Sequence, residues 1–125
     1  MSGFSEVVLK KFADTKEVDV ETRSAEGRVH SVIIWIVVAD GVPYVRSVRG
    51  PKGRWFRELM ARKEGAIKVG RVRYPVRPKL VKDEATNELV SRAIRTKYKT
   101  SRASVIAMLR PEVLETTARL EPAEA

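Results

Sequence analysis

Periodicity and turn chemistry predict an α+β domain built on an antiparallel sheet that suits a small barrel. Three observations lead there. A long β-branched run ends at Asp40-Gly41, a two-residue hairpin signal, so the strands on either side pair antiparallel. Helical stripes stand between groups of strands, not after every strand as in a doubly wound sheet. No Gly-rich dinucleotide fingerprint or P-loop stands at a strand–helix junction.

The elements follow in order. Ser5 caps a short helix whose Val8, Leu9 and Phe12 share one face, and Asp14-Thr15-Lys16 ends it. Val18 and Val20 alternate with Asp19 and Glu21 in a half-buried strand. After the turn at Ala25-Glu26-Gly27, residues 29–38 form the strongest strand, apolar on both sides and therefore expected to be covered on both faces. Residues 42–47 return from the hairpin. Gly50-Pro51-Lys52-Gly53 reads as a loop outside regular structure. Trp55, Phe56, Leu59 and Met60 then make a helical stripe with Gly65 at its C-cap. Residues 66–69 are a short strand bent at Gly70. In residues 71–81, Val72, Tyr74, Val76 and Leu80 alternate with Arg71, Arg73, Arg77 and Lys79, while Pro75 and Pro78 assign the strand to an edge or a bulge. Asp83 caps a helix running to Tyr98 with Leu89, Val90, Ala93 and Ile94 buried. Lys99-Thr100-Ser101-Arg102 is a polar loop, and Val105-Ile106 with Met108-Leu109 fit strand or helix equally. Pro111-Glu112 starts a helical turn, residues 116–120 form a last strand, and residues 121–125 read as a frayed tail.

Composition excludes more chemistry than it suggests. The chain has 125 residues, the size of one domain, expected to span residues 1–125. It has no cysteine and one histidine, His30, which removes disulfides, thiolate nucleophiles, thiolate metal sites and any site needing two imidazoles, so no metal is expected. His30 and Ser31 are neighbours on a strand and face opposite ways, so they form no dyad; His30 reads as a hydrogen-bonded strand-end residue. No carboxylate pair suits acid–base work, and no catalytic residue is assigned. The apolar run at residues 32–39 is far too short to cross a bilayer, and the N-terminus lacks a signal pattern. A soluble, cytoplasmic protein with no membrane partner is the expectation.

The charge is concentrated. Net charge is +9, yet residues 46–82 hold thirteen basic residues against two acidic ones, a surplus of 11 that leaves the rest at −2. An anionic ligand follows, either a phosphate-bearing cofactor or nucleic acid. The alternating arginines of residues 71–79 are also what an exposed edge strand carries to block aggregation. The run Arg46-Ser47-Val48-Arg49-Gly50-Pro51-Lys52-Gly53-Arg54 is more specific. It brings a hydroxyl, four cations and two glycines, Gly50 and Gly53, to a helix N-terminus, where free amides favour an oxyanion. Trp55 is placed either to stack on a flavin or base or to pack with Leu59. Trp35 reads as core.

These residues carry a resemblance. The run Tyr44-Val45-Arg46-Ser47-Val48-Arg49-Gly50 followed by Arg54-Trp55-Phe56-Arg57 is similar to the strand, phosphate loop and helix of the FMN-binding split barrels. That superfamily includes pyridoxamine phosphate oxidase-like proteins and deazaflavin-dependent nitroreductases. Thr22-Arg23-Ser24, Gly27-Arg28 and the strand from Val32 to Trp35 resemble the first hairpin of the second group. A small uncharacterised bacterial family within the superfamily is closest, and the likeness covers roughly residues 4–122. It implies a small antiparallel split β-barrel with flanking helices that forms a homodimer and holds FMN or a deazaflavin between subunits. By resemblance, Arg46, Ser47, Arg49 and Lys52 match phosphate-side positions, and Ser31, Val32 and Ile33 match the strand edging the ring. A flavin- or deazaflavin-dependent oxidoreductase is then the expectation, with the cofactor supplying the chemistry. A cofactor-free split barrel and a basic nucleic-acid-binding module are the alternatives.

Overall fold

The computed structural model describes residues 3–123. Seven strands form one antiparallel sheet, β1 (Val18–Arg23), β2 (Val29–Ile34), β3 (Val37–Ala39), β4 (Val42–Val45), β5 (Gly65–Val69), β6 (Val72–Leu80) and β7 (Ala118–Pro122). Their order is β2-β1-β5-β6-β7-β4-β3. Consecutive strands β2 and β3 therefore lie at opposite edges. In a flat sheet of seven strands those edges would stand about 29 Å apart. Trp35 and Ile36 alone join them, and the step from Ile34 to Val37 spans at most about 11 Å. The sheet must curl until its edges approach, which makes it a split barrel, as expected.

The same crossover corrects the reading of residues 29–38 as one strand covered on both faces. The run breaks at Trp35-Ile36, and β2 alternates exposed with partly buried positions, leaving Val29 and Ile33 open to solvent. The break costs no buried hydrogen bond. Ile36 N–H donates to the Tyr98 hydroxyl at 3.3 Å, and Lys97 Nζ donates to the Ile36 carbonyl at 2.5 Å. Asp40 and Gly41, both at positive φ, make the expected tight turn between β3 and β4.

Five helices flank the sheet: α1 (Glu6–Asp14), α2 (Arg54–Arg62), α3 (Glu84–Lys97), α4 (Arg102–Met108) and α5 (Pro111–Leu114). Ser5 caps α1 through the Val8 amide, and Asp83 caps α3 through the Thr86 amide, both as expected. The undecided residues 105–108 are helical, with Val105 and Met108 buried. One apolar cluster fills the barrel around Phe12, Val20, Ile36, Leu59, Ile67 and Leu120. A second, around Val37, Tyr44, Val90, Ile94, Tyr98 and Val113, joins β3 and β4 to α3, α4 and α5.

Four further expectations change. Gly50–Lys52 is a short 3-10 turn, not irregular loop. Lys63, in the left-handed region, caps α2, while Gly65 opens β5. A Cβ at Gly65 would stand 2.7 Å from Leu59 Cδ1 and 2.8 Å from the Glu21 carbonyl, so this glycine serves close packing. β6 is a central strand, not an edge. It tolerates its prolines because of parity. The Pro75 carbonyl accepts from Ala123 N–H, so its missing donor faces the end of β7; Pro78 has the opposite parity and faces the side where β5 has already ended at Gly65, opposite Val76. Finally, Glu121 and Pro122 belong to β7 and Ala123 is tied to the Pro75 carbonyl, so these three are not frayed; Glu124 and Ala125, the last two residues of the expected tail, lie outside the described residues.

Candidate functional site

The crossover leaves a half-open cleft of about 320 Å³ beside β2. One wall is Val32, Ile33, Ile34 and Trp35; the facing wall is Ser104, Ala107 and Met108 of α4. Arg46, Val48 and Arg49, which follow β4, and Trp55 of α2 line the rest, with Glu17 as the single acid. Trp35 stacks on Tyr98 with ring centres 3.7 Å apart, which fixes the indole at the cleft wall.

Arg46 is 2% exposed. Its Nε donates to Thr117 Oγ1 at 2.7 Å, Nη1 to the Met108 carbonyl at 3.3 Å, and Nη2 to the Asn87 carbonyl and Oδ1 at 3.0 and 3.2 Å. A guanidinium has five N–H groups, so one on Nη1 has no acceptor among the described residues. No carboxylate forms an ion pair with it there either. Burial lowers its pKa to about 10, so the group is still a cation at neutral pH. The charge of Glu88 supports this cation from a distance, but no carboxylate is ion-paired with it, and it lines a largely apolar and aromatic cleft.

The turn before α2 sets the approach to the cleft. Ser47 Oγ donates to the Gly50 carbonyl at 2.9 Å, and the Gly50 and Gly53 amides close successive turns on Ser47 and Gly50. A Cβ at Gly53 would lie 2.4 Å from Ser47 Oγ, so only glycine fits. The turn hands the chain to α2 with no side chain capping its first amides. Arg49 and Lys52 are exposed on it, and Arg57 Nε donates to the Lys52 carbonyl at 3.1 Å.

Residues 8–120 match the family described as "Uncharacterized protein conserved in bacteria (DUF2255)". The chain belongs to that family. No curated protein matches it. Solved structures similar to this family member include a putative 5-nitroimidazole antibiotic resistance protein from Bacteroides thetaiotaomicron (TM-score 0.65, 12% identity, covering 100% of this chain and 83% of that one). Also similar are HutZ, described as the heme storage protein from Vibrio cholerae (0.64, 16%, 96% and 91%), and an F420-H2 dependent reductase (0.61, 14%, 85% and 93%). At these identities the likeness establishes the split-barrel fold.

Of the ten residues the sequence singled out, the fold of this DUF2255 member brings Val32, Ile33, Arg46, Arg49 and Trp55 together at the cleft. Ser31, exposed on β2, is not among the cleft residues, and Lys52 stands on the turn outside it. Ser47, Gly50 and Gly53 are buried within the turn and shape it. Trp55 packs in the barrel core, one of the two readings weighed for it, and also lines the cleft; Trp35, read as core, packs partly buried against the second apolar cluster and lines the cleft as well. Sequence reasoning missed Glu17, Trp35 and the α4 residues, because no local pattern reports that α4 returns beside β2. His30 is held off the cleft. Its Nδ1 lies 3.0 Å from Glu58 Oε1, which also accepts from Thr22 at 2.8 Å. Burial pushes the Glu58 carboxyl up, but the hydrogen bonds from His30 and Thr22 outweigh it and the net shift is downward.

Proposed function

We propose that the cleft binds FMN or a deazaflavin and that the protein is a flavin-type oxidoreductase of the cytoplasm. The observation that carries this reading is Arg46, a buried cation with an unused N–H and no ion-paired carboxylate at the wall of a cleft lined by Trp35 and Trp55. The ligand it calls for is a flat aromatic group bearing or attached to negative charge. Arg49 at the cleft and Lys52 on the turn, with the uncapped amides of α2, suit the phosphate of such a ligand. A bound flavin or deazaflavin supplies hydride transfer. The chain supplies orientation, charge and exclusion of water from the cleft.

A homodimer is part of the proposal. Ile33 and Val48 line the cleft yet are 64% and 45% exposed, and Ile106, between lining residues of α4, is 67% exposed. A second copy covering this apolar rim completes the cleft. The heme named for one structural neighbour finds less support, since His30 is engaged with Glu58 and is not a cleft residue.

Titration of the purified protein with FMN and with F420, followed by visible absorbance and tryptophan emission, tests the reading. A saturable change with one of them at micromolar concentration is expected. No change up to high micromolar concentration overturns it. Binding of unrelated DNA that falls steeply with salt would move the assignment to nucleic acid. Light scattering should give twice the chain mass of 14.1 kDa; the monomer mass would overturn the dimer.

A further inference from the structure

β3 is the last strand of the sheet, and Val37 and Val38 on it line a surface trough of about 480 Å³, away from the cleft. Leu89 and Ala93 of α3 give the trough an apolar wall, and Arg92 and Lys97 of the same helix give it charge. The pairing of β3 with β4 decides which backbone groups are free. Val38 stands opposite Pro43, which has no N–H, so the hydrogen-bonded pairs of this hairpin are Val37 with Tyr44 and Ala39 with Val42. The N–H and carbonyl of Val38 then face the open side of the strand, as do those of Ile36. The Ile36 groups are taken, the N–H by the Tyr98 hydroxyl at 3.3 Å and the carbonyl by Lys97 Nζ at 2.5 Å. Those of Val38 have no partner among the described residues, although the residue is half-buried.

The charge beside this edge is unanswered too. Lys97 Nζ donates to the carbonyls of Phe12, at 3.0 Å, and Ile36, which leaves the third N–H of the ammonium without a hydrogen-bond acceptor among the described residues. Arg92 is exposed and forms no ion pair there. No acid lines the trough among the described residues. Asp14, whose charge reaches Lys97 from α1, is bonded to Lys10 at 2.9 Å, and Glu88 of α3 is bonded to Arg95 at 3.1 Å. We propose that the trough is a docking site for an extended, acidic peptide segment of a partner protein, which adds a strand to β3. The N–H and carbonyl of Val38 exchange hydrogen bonds with one residue of the peptide. Side chains of an extended strand alternate, so every second one meets α3, where Leu89 and Ala93 suit an apolar group and Arg92 and Lys97 a carboxylate. The segment that fits carries an apolar residue and an acidic residue two positions apart.

The probe is a short capped peptide in which threonine alternates with valine and glutamate in turn, added to the nitrogen-15-labelled full chain. The titration is run at pH 6.5, below the value of about 8 to which burial lowers Lys97, so that the ammonium persists. Saturable amide shifts at the trough with a dissociation constant of about 0.1–1 mM are expected, with hydrogen exchange of the Val38 amide slowed at least about tenfold at saturation. The same peptide with lysine in place of glutamate should bind at least about tenfold more weakly, and so should the acidic peptide to Arg92→Glu, a change at an exposed side chain. No saturable shift up to about 5 mM, or shifts without protection of the Val38 amide, overturns the proposal. Equal binding of the lysine peptide overturns the acidic partner. Protection of Val38 that rises with protein concentration in the absence of peptide gives the edge to a second copy and overturns the peptide assignment.

Discussion

Two basic regions of this molecule come from the same stretch of chain and behave differently. On the outer face of the sheet, Arg73 bonds to Glu21, Arg77 stands opposite Glu121 in register, and Arg119 lies 3.4 Å from Glu121. Cross-strand acids from β1 and β7 pair with two of the arginines on that face, Arg73 and Arg119. At the cleft and its turn, Arg46, Arg49 and Lys52 have no carboxylate partner among the described residues. The surplus of 11 counted along residues 46–82 treated these cations alike. Pairing in three dimensions separates them. A charge surplus marks a site where the fold withholds the counter-charge, and only a surface where it supplies one.

The sharpest way to break the comparison is to remove the buried cation. Arg46→Met leaves acceptors on Asn87, Met108 and Thr117 without their donor in a dry environment. Each orphaned polar group costs about 1–3 kcal/mol, so a loss of at least about 3 kcal/mol in urea unfolding is expected, together with loss of flavin binding. Arg46→Lys restores the charge but cannot reach three partners at once. It should recover part of the binding and little of the stability. A Met variant as stable as the parent would show that Arg46 holds nothing together.

The next test sets cleft against sheet at equal charge. Arg49→Ala removes a cation that lines the cleft, and Arg77→Ala removes one on the sheet, opposite Glu121 in register and away from the cleft. A hydrogen bond to a charged group contributes roughly 1.5–3 kcal/mol, so Arg49→Ala should weaken FMN or deazaflavin binding by about 10- to 150-fold. Arg77→Ala should leave it nearly unchanged. Lys52→Ala falls between, because Lys52 sits on the turn outside the cleft lining. Equal losses in all three variants, mimicked by added salt, would reduce the site to a generally attractive surface.

How much of this was legible follows from where the information lies. Ser5 and Asp83 announced their helices because capping is a matter of adjacent residues. The Asp40-Gly41 turn was legible for the same reason. The split of residues 29–38 was not, because every residue there suits a strand and only closure of the sheet forces the break at Trp35. Pro75 and Pro78 pointed to an edge because a missing N–H usually costs a ladder bond. Here both donors are missing where the neighbouring strand has ended. At the site, Arg46, Arg49 and Trp55 were legible from one run of sequence, while Trp35, Glu17 and α4 arrive from elsewhere in the chain.

Acid reports on a carboxylate outside the cleft. Glu58 is held by His30 and Thr22, and its folded-state pKa lies below the ordinary value of 4.5. A carboxylate shifted this way stabilises the fold above its unfolded pKa. That stability is lost as pH falls below about 4.5 and through the lower folded value. Glu58→Gln should flatten the acid limb of a stability–pH curve and cost on the order of 1 kcal/mol at neutral pH. FMN binding should not move, since Glu58 is outside the cleft. An unchanged acid limb in the variant would assign the acid loss to other carboxylates.

The smallest expected effect belongs to the compensated face. Arg73 is half exposed and bonds Glu21, whose side chain is 15% exposed. A pair open to solvent on one side contributes at most about 1 kcal/mol, because water screens the attraction and two long side chains lose freedom to form it. Arg73→Ala should therefore destabilise the fold by less than about 1 kcal/mol. The difference should shrink in 1 M salt, where screening acts over about 3 Å. The double variant with Glu21→Ala separates pairing from packing: if the arginine acts through the ion pair, removing both partners costs no more than removing one. Losses that add would mean that each side chain contributes through its own contacts with the sheet. The contrast with Arg46 would then rest on burial alone, with pairing playing no part.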